Sequence, residues 1–146
     1  MNTVQALTQA AQGRITMDAV QAALLARDPG PHLRNSMRIG RDRGVGTAVV
    51  NLVPAAASVT AFAPSSARVT VWTVAVSRTT IAEGAPVSIV TAWATHTVDL
   101  LWEGGDWKAK DAVGQVGPAP EEVAAPSADS PLSKPLQSGY YTVYVN

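Results

Sequence analysis

The sequence predicts one small α+β domain in which two or three N-terminal helices pack on a curved antiparallel sheet. The chain has 146 residues, of which 47% are hydrophobic and 15% charged, a composition that supports a single core of ordinary size. Helix-forming residues with capping signals fill the chain up to Gly44, whereas β-branched and aromatic residues dominate from Thr47 to Val113. This change of pattern predicts helices first and a sheet afterwards.

Helix starts and stops are visible in the first part of the chain. Gly13 is a natural helix stop, and Thr16 can cap the segment that follows it. Pro29 ends that second segment, because the residue before a proline avoids the helical region. The expected helices are Val4–Gln12, a helix that starts at Thr16 and ends before Pro29, and a helix from Pro31 to Gly40 or Gly44.

Long strands with turn signals between them follow the helices. Pro54 must lie at a sheet edge or a bulge, because it has no N–H to donate. Gly104 and Gly105 predict a two-residue hairpin turn that places Trp102 opposite Trp107. The expected strands are Thr47–Val53 with a continuation over Ser58–Phe62, Arg68–Arg78, Val87–Trp102 and Asp106–Val113.

From residue 117 the chain becomes rich in Pro, Ala and Ser, which is typical of a linker or tail. The end of the chain differs from the rest of this tail, because the pattern of Tyr140–Val145 predicts a short strand. We therefore expect an α+β domain over 1–116 and a tail over 117–146 that ends in this strand. The tyrosines Tyr140, Tyr141 and Tyr144 are candidate interface residues that could add a strand to a sheet edge.

Three segments of the sheet half carry a family resemblance. ARVTVWTVAV at 67–76, AWATHTVDLLWEGGDWKAKD at 92–111 and GPAP at 117–120 resemble a group of actinobacterial proteins of the conjugal-transfer (type IV secretion) scaffold superfamily, encoded in mobile genetic elements. The resemblance implies a nuclear-transport-factor-2-like cone and a non-enzymatic role through protein–protein contacts in a transfer channel. We expect protein partners, with a homo-oligomer as one form. A Gly-Asp-Trp-Lys hairpin of this kind occurs throughout the cone superfamily.

The resemblance also bears on location. In that family the cone follows a single membrane helix and sits on the extracytoplasmic face. This chain starts with polar, soluble helices and has no apolar run of the length that a membrane helix needs. We therefore expect membrane association only through an anchor outside this sequence, and a cytoplasmic domain if no such anchor exists.

The alternative function is a cone-fold small-molecule binder or enzyme with a pocket that includes His96. Strand alternation places His96 on the more apolar face, toward the helices, and Asp99 on the opposite face. The two side chains therefore cannot readily form a catalytic pair, and a structural histidine is the simpler interpretation. No catalytic residues, metal ligands or cofactors are predicted.

Two groups of side chains are candidates for partner contacts. Arg34, Arg38 and Arg41 share a helix face and could bind an anion or an acidic partner, although a solvated face is the plainer interpretation and aromatic residues for stacking on nucleic acid are absent nearby. Trp93 lies on the more polar strand face among threonines, which makes it a candidate interface residue. The formal net charge of zero gives no bulk attraction to nucleic acid.

Overall fold

A computed structural model describes residues 2–42, 49–80, 84 and 86–120, without the side chains of residues 2 and 79. In these ranges the chain forms three helices followed by a four-stranded antiparallel sheet with strand order β1-β2-β3-β4. The elements are α1 Asn2–Ala11, α2 Met17–Leu24, α3 Pro31–Asp42, β1 Val49–Ala63, β2 Ser66–Thr80, β3 Val87–Glu103 and β4 Asp106–Val116. The expected α+β class, with helices before an antiparallel sheet, is confirmed.

The second helix begins as its capping signal predicts. The Thr16 side chain accepts a hydrogen bond from the Ala19 N–H at 3.2 Å, which satisfies one of the free donors of the first turn. The helix ends at Leu24, earlier than Pro29 requires. The next residue, Leu25, forms a parallel bridge with Ala109 of β4, so the chain leaves the helix to pair with the sheet.

Strand β1 lies at one edge of the sheet, and its irregularities begin at the proline. Register shifts occur between Pro54 and Ala56 and between Val59 and Ala61. Both features agree with the expectation that Pro54 needs an edge or a bulge.

Strands β3 and β4 form the expected hairpin. Gly104 and Gly105 have φ angles of 64° and 84°, and Trp102 pairs with Trp107. These two rings make an edge-on contact at 5.4 Å between centroids. Strand β4 continues beyond the expected Val113 to Val116.

The hydrophobic core lies between the helices and one face of the sheet, which we call the helix-side face. Its helical members include Val20, Leu33 and Met37, and its sheet members include Val98 and Ala109. Burial of these aliphatic side chains is the main favourable term that holds the layers together.

Aromatic rings from the two outer strands meet at the hairpin end of the sheet. The rings of Phe62 on β1 and Trp107 on β4 lie 6.1 Å apart although two strands separate them. The contact therefore spans β2 and β3 across the helix-side face.

The helical region also contacts both outer strands through backbone groups. The Gln12 side-chain amide donates to the Val50 carbonyl at 2.8 Å and accepts from the Val50 N–H at 3.1 Å. On the other edge, the Ala26 N–H donates to the Ala109 carbonyl at 2.9 Å and the Gly30 N–H donates to the Lys110 carbonyl at 2.5 Å. The α2–α3 linker therefore contacts β4 through the isolated bridge at Leu25 and these two hydrogen bonds.

Candidate functional site

A cavity of about 300 Å³ lies between the helices and the helix-side face. Its walls come from α1, α3, β3 and β4, together with Met17, the first residue of α2. Most of the lining side chains are aliphatic. The apolar lining includes Val4, Leu7, Met17, Leu33 and Ala112, and the polar lining consists of Thr8, Ser36 and His96. This volume is at the lower end of the range for small-molecule pockets.

His96 is the one titratable side chain among the described residues that line the cavity. Its Nε2 atom is buried and has no hydrogen-bond partner among the described residues. Burial lowers the pKa of His96, because the charged imidazolium is poorly solvated there. Burial therefore favours the neutral imidazole, and the Nε2 atom lies out of reach of a water-sized group.

Gly114 makes room for the imidazole ring. It pairs directly with His96 across β3 and β4. A Cβ atom built at position 114 would lie 3.1 Å from His96 Nδ1 and 3.4 Å from Cε1, closer than most side-chain contacts. A side chain at this position would therefore press on the ring and move it.

Asp99 lies away from the cavity, as strand alternation predicts. Its carboxylate accepts two hydrogen bonds from Arg68, one from Nε at 2.6 Å and one from Nη2 at 3.0 Å. This pair raises the pKa of Arg68 through hydrogen bonding and charge. Asp99 is therefore committed to an ion pair on the other side of the sheet and cannot assist His96.

The sheet face opposite the helices, which we call the outer face, carries an apolar row. Val53, Val74 and Trp93 lie in direct register across β1, β2 and β3. Trp72 stacks on Trp93 with ring centroids 4.5 Å apart. Ile89, further along β3 on the same face, is 75% exposed. The structure thus places the predicted contact residue Trp93 in an apolar surface.

The chain after β4 turns onto this outer face. The Gly117 N–H donates to the Trp93 carbonyl at 2.7 Å, and the Thr95 hydroxyl donates to the Gly117 carbonyl at 2.9 Å. The Trp72 indole then donates to the Pro118 carbonyl at 2.9 Å. Residues 117 and 118, which were assigned to the tail, are therefore held on the sheet.

Each arginine of the predicted anion patch is paired with a carboxylate of the chain itself. The nitrogen–oxygen distances are 3.2 Å for Arg34 with Asp28, 3.2 Å for Arg38 with Asp42 and 2.6 Å for Arg41 with Asp18. All of these side chains are exposed, so the pairs contribute little to stability. They do reduce the local positive charge that an anionic partner would meet.

The remaining predicted interface residues, Tyr140, Tyr141 and Tyr144, lie outside the described residues.

Within the described ranges, no group of three or more histidine and acidic side chains is placed to hold a metal ion. No helix in the same ranges combines the length and the hydropathy of a membrane span.

One polar cluster was missed by sequence reasoning. Asp111 on β4 accepts hydrogen bonds from the Leu33 N–H at 2.9 Å, from His32 Nδ1 at 2.9 Å and from the Ala112 N–H at 3.1 Å. It caps α3 from another element, and a Cβ atom at Gly30 would collide with its carboxylate. The available signal was the Gly30-Pro31 start, which leaves α3 without a capping side chain of its own.

Comparison with known proteins concerns the fold alone. No protein-family model matches the sequence, and no curated protein matches it. Among solved structures, the association domain of C. elegans CaMKII is similar, with a TM-score of 0.52 and 13% identity, over 78% of this chain and 90% of that chain. The intermembrane space region of the chloroplast protein ARC6 has a TM-score of 0.48 and 14% identity, over 81% of this chain and 91% of that chain.

Proposed function

We propose that this chain is a non-enzymatic assembly domain that associates with a second copy of itself through the outer face of the sheet. The observation that carries the proposal is the apolar row of Val53, Val74 and Trp93 in direct register, with Val53 49% exposed at its end. Val74 and Trp93 are half-buried, and an apolar surface of this kind is typical of protein contact sites. An isologous pair would bury the row against its own copy.

The fold likeness supports the same proposal. We propose that the helices and the sheet form a nuclear-transport-factor-2-like cone, a fold class that the similarity to the CaMKII association domain supports. That solved structure is by its description an association domain, so a fold of this class can serve assembly. Because fold alone does not determine function, the proposal depends on the apolar row.

A role in conjugative transfer is the more specific form of the proposal. It rests on the resemblance of Leu101–Lys108 and the flanking strand residues to the conjugal-transfer scaffold proteins. Transfer ATPase and relaxase genes beside the encoding gene would support it. A neighbourhood without transfer genes would remove the reason for this form and leave the assembly proposal intact.

Two valines on β1 allow a matched test of assembly. Val53 is on the outer face, whereas Val59 pairs with Val69 on the helix-side face and is 62% exposed. We expect Val53→Lys to shift sedimentation velocity profiles toward the monomer, because a charge in a buried interface is costly. Val59→Lys should sediment like the wild type.

Three outcomes of this experiment are informative. Dissociation by Val53→Lys alone supports the outer face as the interface. Equal dissociation by both variants would move the interface to the β1 edge and refute the outer-face proposal. A wild-type chain that sediments as a monomer at all concentrations would refute self-association.

A second candidate function is small-molecule binding, which the cavity beside His96 favours. His96 is the only titratable residue among the described residues that line the cavity. General acid–base catalysis commonly relies on groups that tune one another, and here Asp99 is held on the opposite face by Arg68. The cavity is therefore better suited to binding than to acid–base chemistry.

A further inference from the structure

We infer that the C-terminal segment 140–145 of this chain adds as an extra strand to its own sheet, along residues 57–63 of the β1 edge. The sequence predicts a strand at 140–145, and the structure points to the edge that receives it. This inference goes beyond the proposed assembly and does not rest on it, because it concerns the edge of the sheet rather than the outer face.

The second half of β1 is an exposed edge without the usual protection. Residues 55–62 are all exposed, and the segment AAASVTAFA at 55–63 contains no charged residue and no proline. Among the described strands, β1 pairs with β2 alone, and the register shift between Val59 and Ala61 leaves regular pairing on both sides. Proteins commonly protect such edges with charges, prolines or a covering segment. This edge therefore fits an added strand.

The first half of β1 is already closed. The Gln12 side-chain amide donates to the Val50 carbonyl at 2.8 Å and accepts from the Val50 N–H at 3.1 Å, which are the bonds that a neighbouring strand makes. Pro54 has no N–H to donate. An added strand can therefore form a continuous ladder only beyond Pro54.

The chain after β4 crosses the sheet in the direction of this edge. The Gly117 carbonyl accepts a hydrogen bond from the Thr95 hydroxyl of β3 at 2.9 Å. The Pro118 carbonyl accepts one from the Trp72 indole of β2 at 2.9 Å. Thr95, Trp72 and Ala56 are in direct register across β3, β2 and β1. The path from β4 over β3 and β2 therefore leads to β1 at Ala56, beside the open part of its edge.

The segment that follows this crossing has the composition and the reach to close the edge. YYTVYV at 140–145 consists of β-branched and aromatic residues and carries no charge. Residues 121–139 connect it to the crossing and span up to about 60 Å when extended, whereas an added strand lies about 5 Å beyond β1. A short tether gives an effective concentration in the millimolar range, so in dilute solution the chain's own segment outcompetes that of a second copy.

The opposite edge of the sheet is less suited to this segment. The Ala26 N–H already bonds to the Ala109 carbonyl of β4, and the Gly30 N–H bonds to the Lys110 carbonyl. Strand β4 then ends at Val116, where the chain crosses the sheet. The β1 edge therefore offers the longer open stretch.

Amide hydrogen exchange in the full chain tests the inference. Alternate N–H groups of an edge strand point away from its neighbour, so those of 57–63 exchange slowly only when a further strand covers them. Thr142→Pro removes a donor from the middle of the added strand, and Ala128→Pro is the matched control within 121–139. We expect these β1 amides to exchange about tenfold faster in Thr142→Pro than in the wild type, with Ala128→Pro unchanged.

Nuclear Overhauser effects identify the edge and the chain that supplies the strand. In the wild type, backbone protons of 140–145 should show such effects to backbone protons of 57–63. A sample mixed from ¹³C,¹⁵N-labelled and unlabelled chains separates contacts within one chain from contacts between two chains. We expect the contacts within one chain.

The outcomes are distinct from those of the assembly experiment. Equally fast exchange of the alternate 57–63 amides in the wild type and in Thr142→Pro would refute the added strand. Contacts of 140–145 with β4 instead of β1 would refute the choice of edge, and contacts found only between two chains would refute addition to the chain's own sheet. Sedimentation of Val53→Lys tests the outer face separately.

Discussion

Removal of the Asp111 carboxylate should unfold the junction between α3 and β4 at lower temperature. The carboxylate is only 18% exposed and accepts the backbone N–H of Leu33 in the first turn of α3. Loss of a helix cap costs about 1 kcal/mol, and loss of a negative charge near a helix N-terminus costs roughly a further 0.3–1 kcal/mol. We expect Asp111→Ala to lower the free energy of unfolding by about 2 kcal/mol, or Tm by about 8 °C.

Two further variants divide this effect into its parts. Asp111→Asn keeps an oxygen acceptor for Leu33 and loses the charge, so we expect about half of the loss. His32→Ala removes a partner whose side chain is 61% exposed and should change the free energy of unfolding by less than about 0.5 kcal/mol. Urea unfolding followed by circular dichroism measures all three.

The charge contribution should depend on pH in a defined direction. Burial acts to raise the pKa of Asp111, but the hydrogen bonds from His32 and from the Leu33 and Ala112 N–H groups hold it below its usual value. Such a group stabilises the fold fully above its unfolded-state pKa of about 3.9 and loses this effect as pH falls through the lower folded-state pKa. The stability gap between the wild-type chain and its Asp111→Asn variant should therefore shrink as pH falls below about 4.

A companion change at Gly30 tests the same contact from the other side. Gly30→Ala places a Cβ atom where the Asp111 carboxylate lies, so we expect a loss of about 1–3 kcal/mol from overpacking. If both Asp111→Ala and Gly30→Ala unfold within about 0.5 kcal/mol of the wild type, the range of ordinary surface changes, the capping explanation is wrong.

Two other substitutions test the sheet edge and the hairpin. Gln12→Ala removes both hydrogen bonds to the Val50 backbone and should lower the free energy of unfolding by about 1–2 kcal/mol. Gln12→Glu keeps only acceptors and should lower it by about half as much. Equal stability of the wild type and both variants would contradict a role for this contact. Gly105→Ala puts a side chain at a φ angle of 84° and should lower the free energy of unfolding by about 1 kcal/mol. Thermal unfolding measures this loss, and an unchanged Tm would show that the turn adapts without strain.

The order of elements and the hairpin could be predicted because local residues determine them. Thr16 caps α2 with its own side chain, and Gly104 and Gly105 supply the φ angles of the turn. The face on which His96 lies follows from the alternation of a long strand. In each case the determining contacts lie within a few residues along the chain.

The parts that escaped prediction depend on contacts between distant residues. The end of α2 at Leu24 is set by pairing of Leu25 with Ala109, and the cap of α3 comes from Asp111. A pocket that includes His96 was expected only for the alternative function, and a cavity of about 300 Å³ does lie there, but the residues of α1 and α3 that line it were not predicted. The size of such a cavity depends on how the side chains of α1, α3 and the sheet pack together. Alternation along one strand does not determine this packing.

The pairing of the α2–α3 linker with β4 has a consequence for the order of folding. Ala26 and Gly30 find their backbone partners in Ala109 and Lys110, near the far end of the sheet sequence, so a ribosome has synthesised the first three strands before these bonds can close. Contacts of such long sequence separation slow folding. The backbone donors of the linker therefore remain without these partners until the last strand has been made.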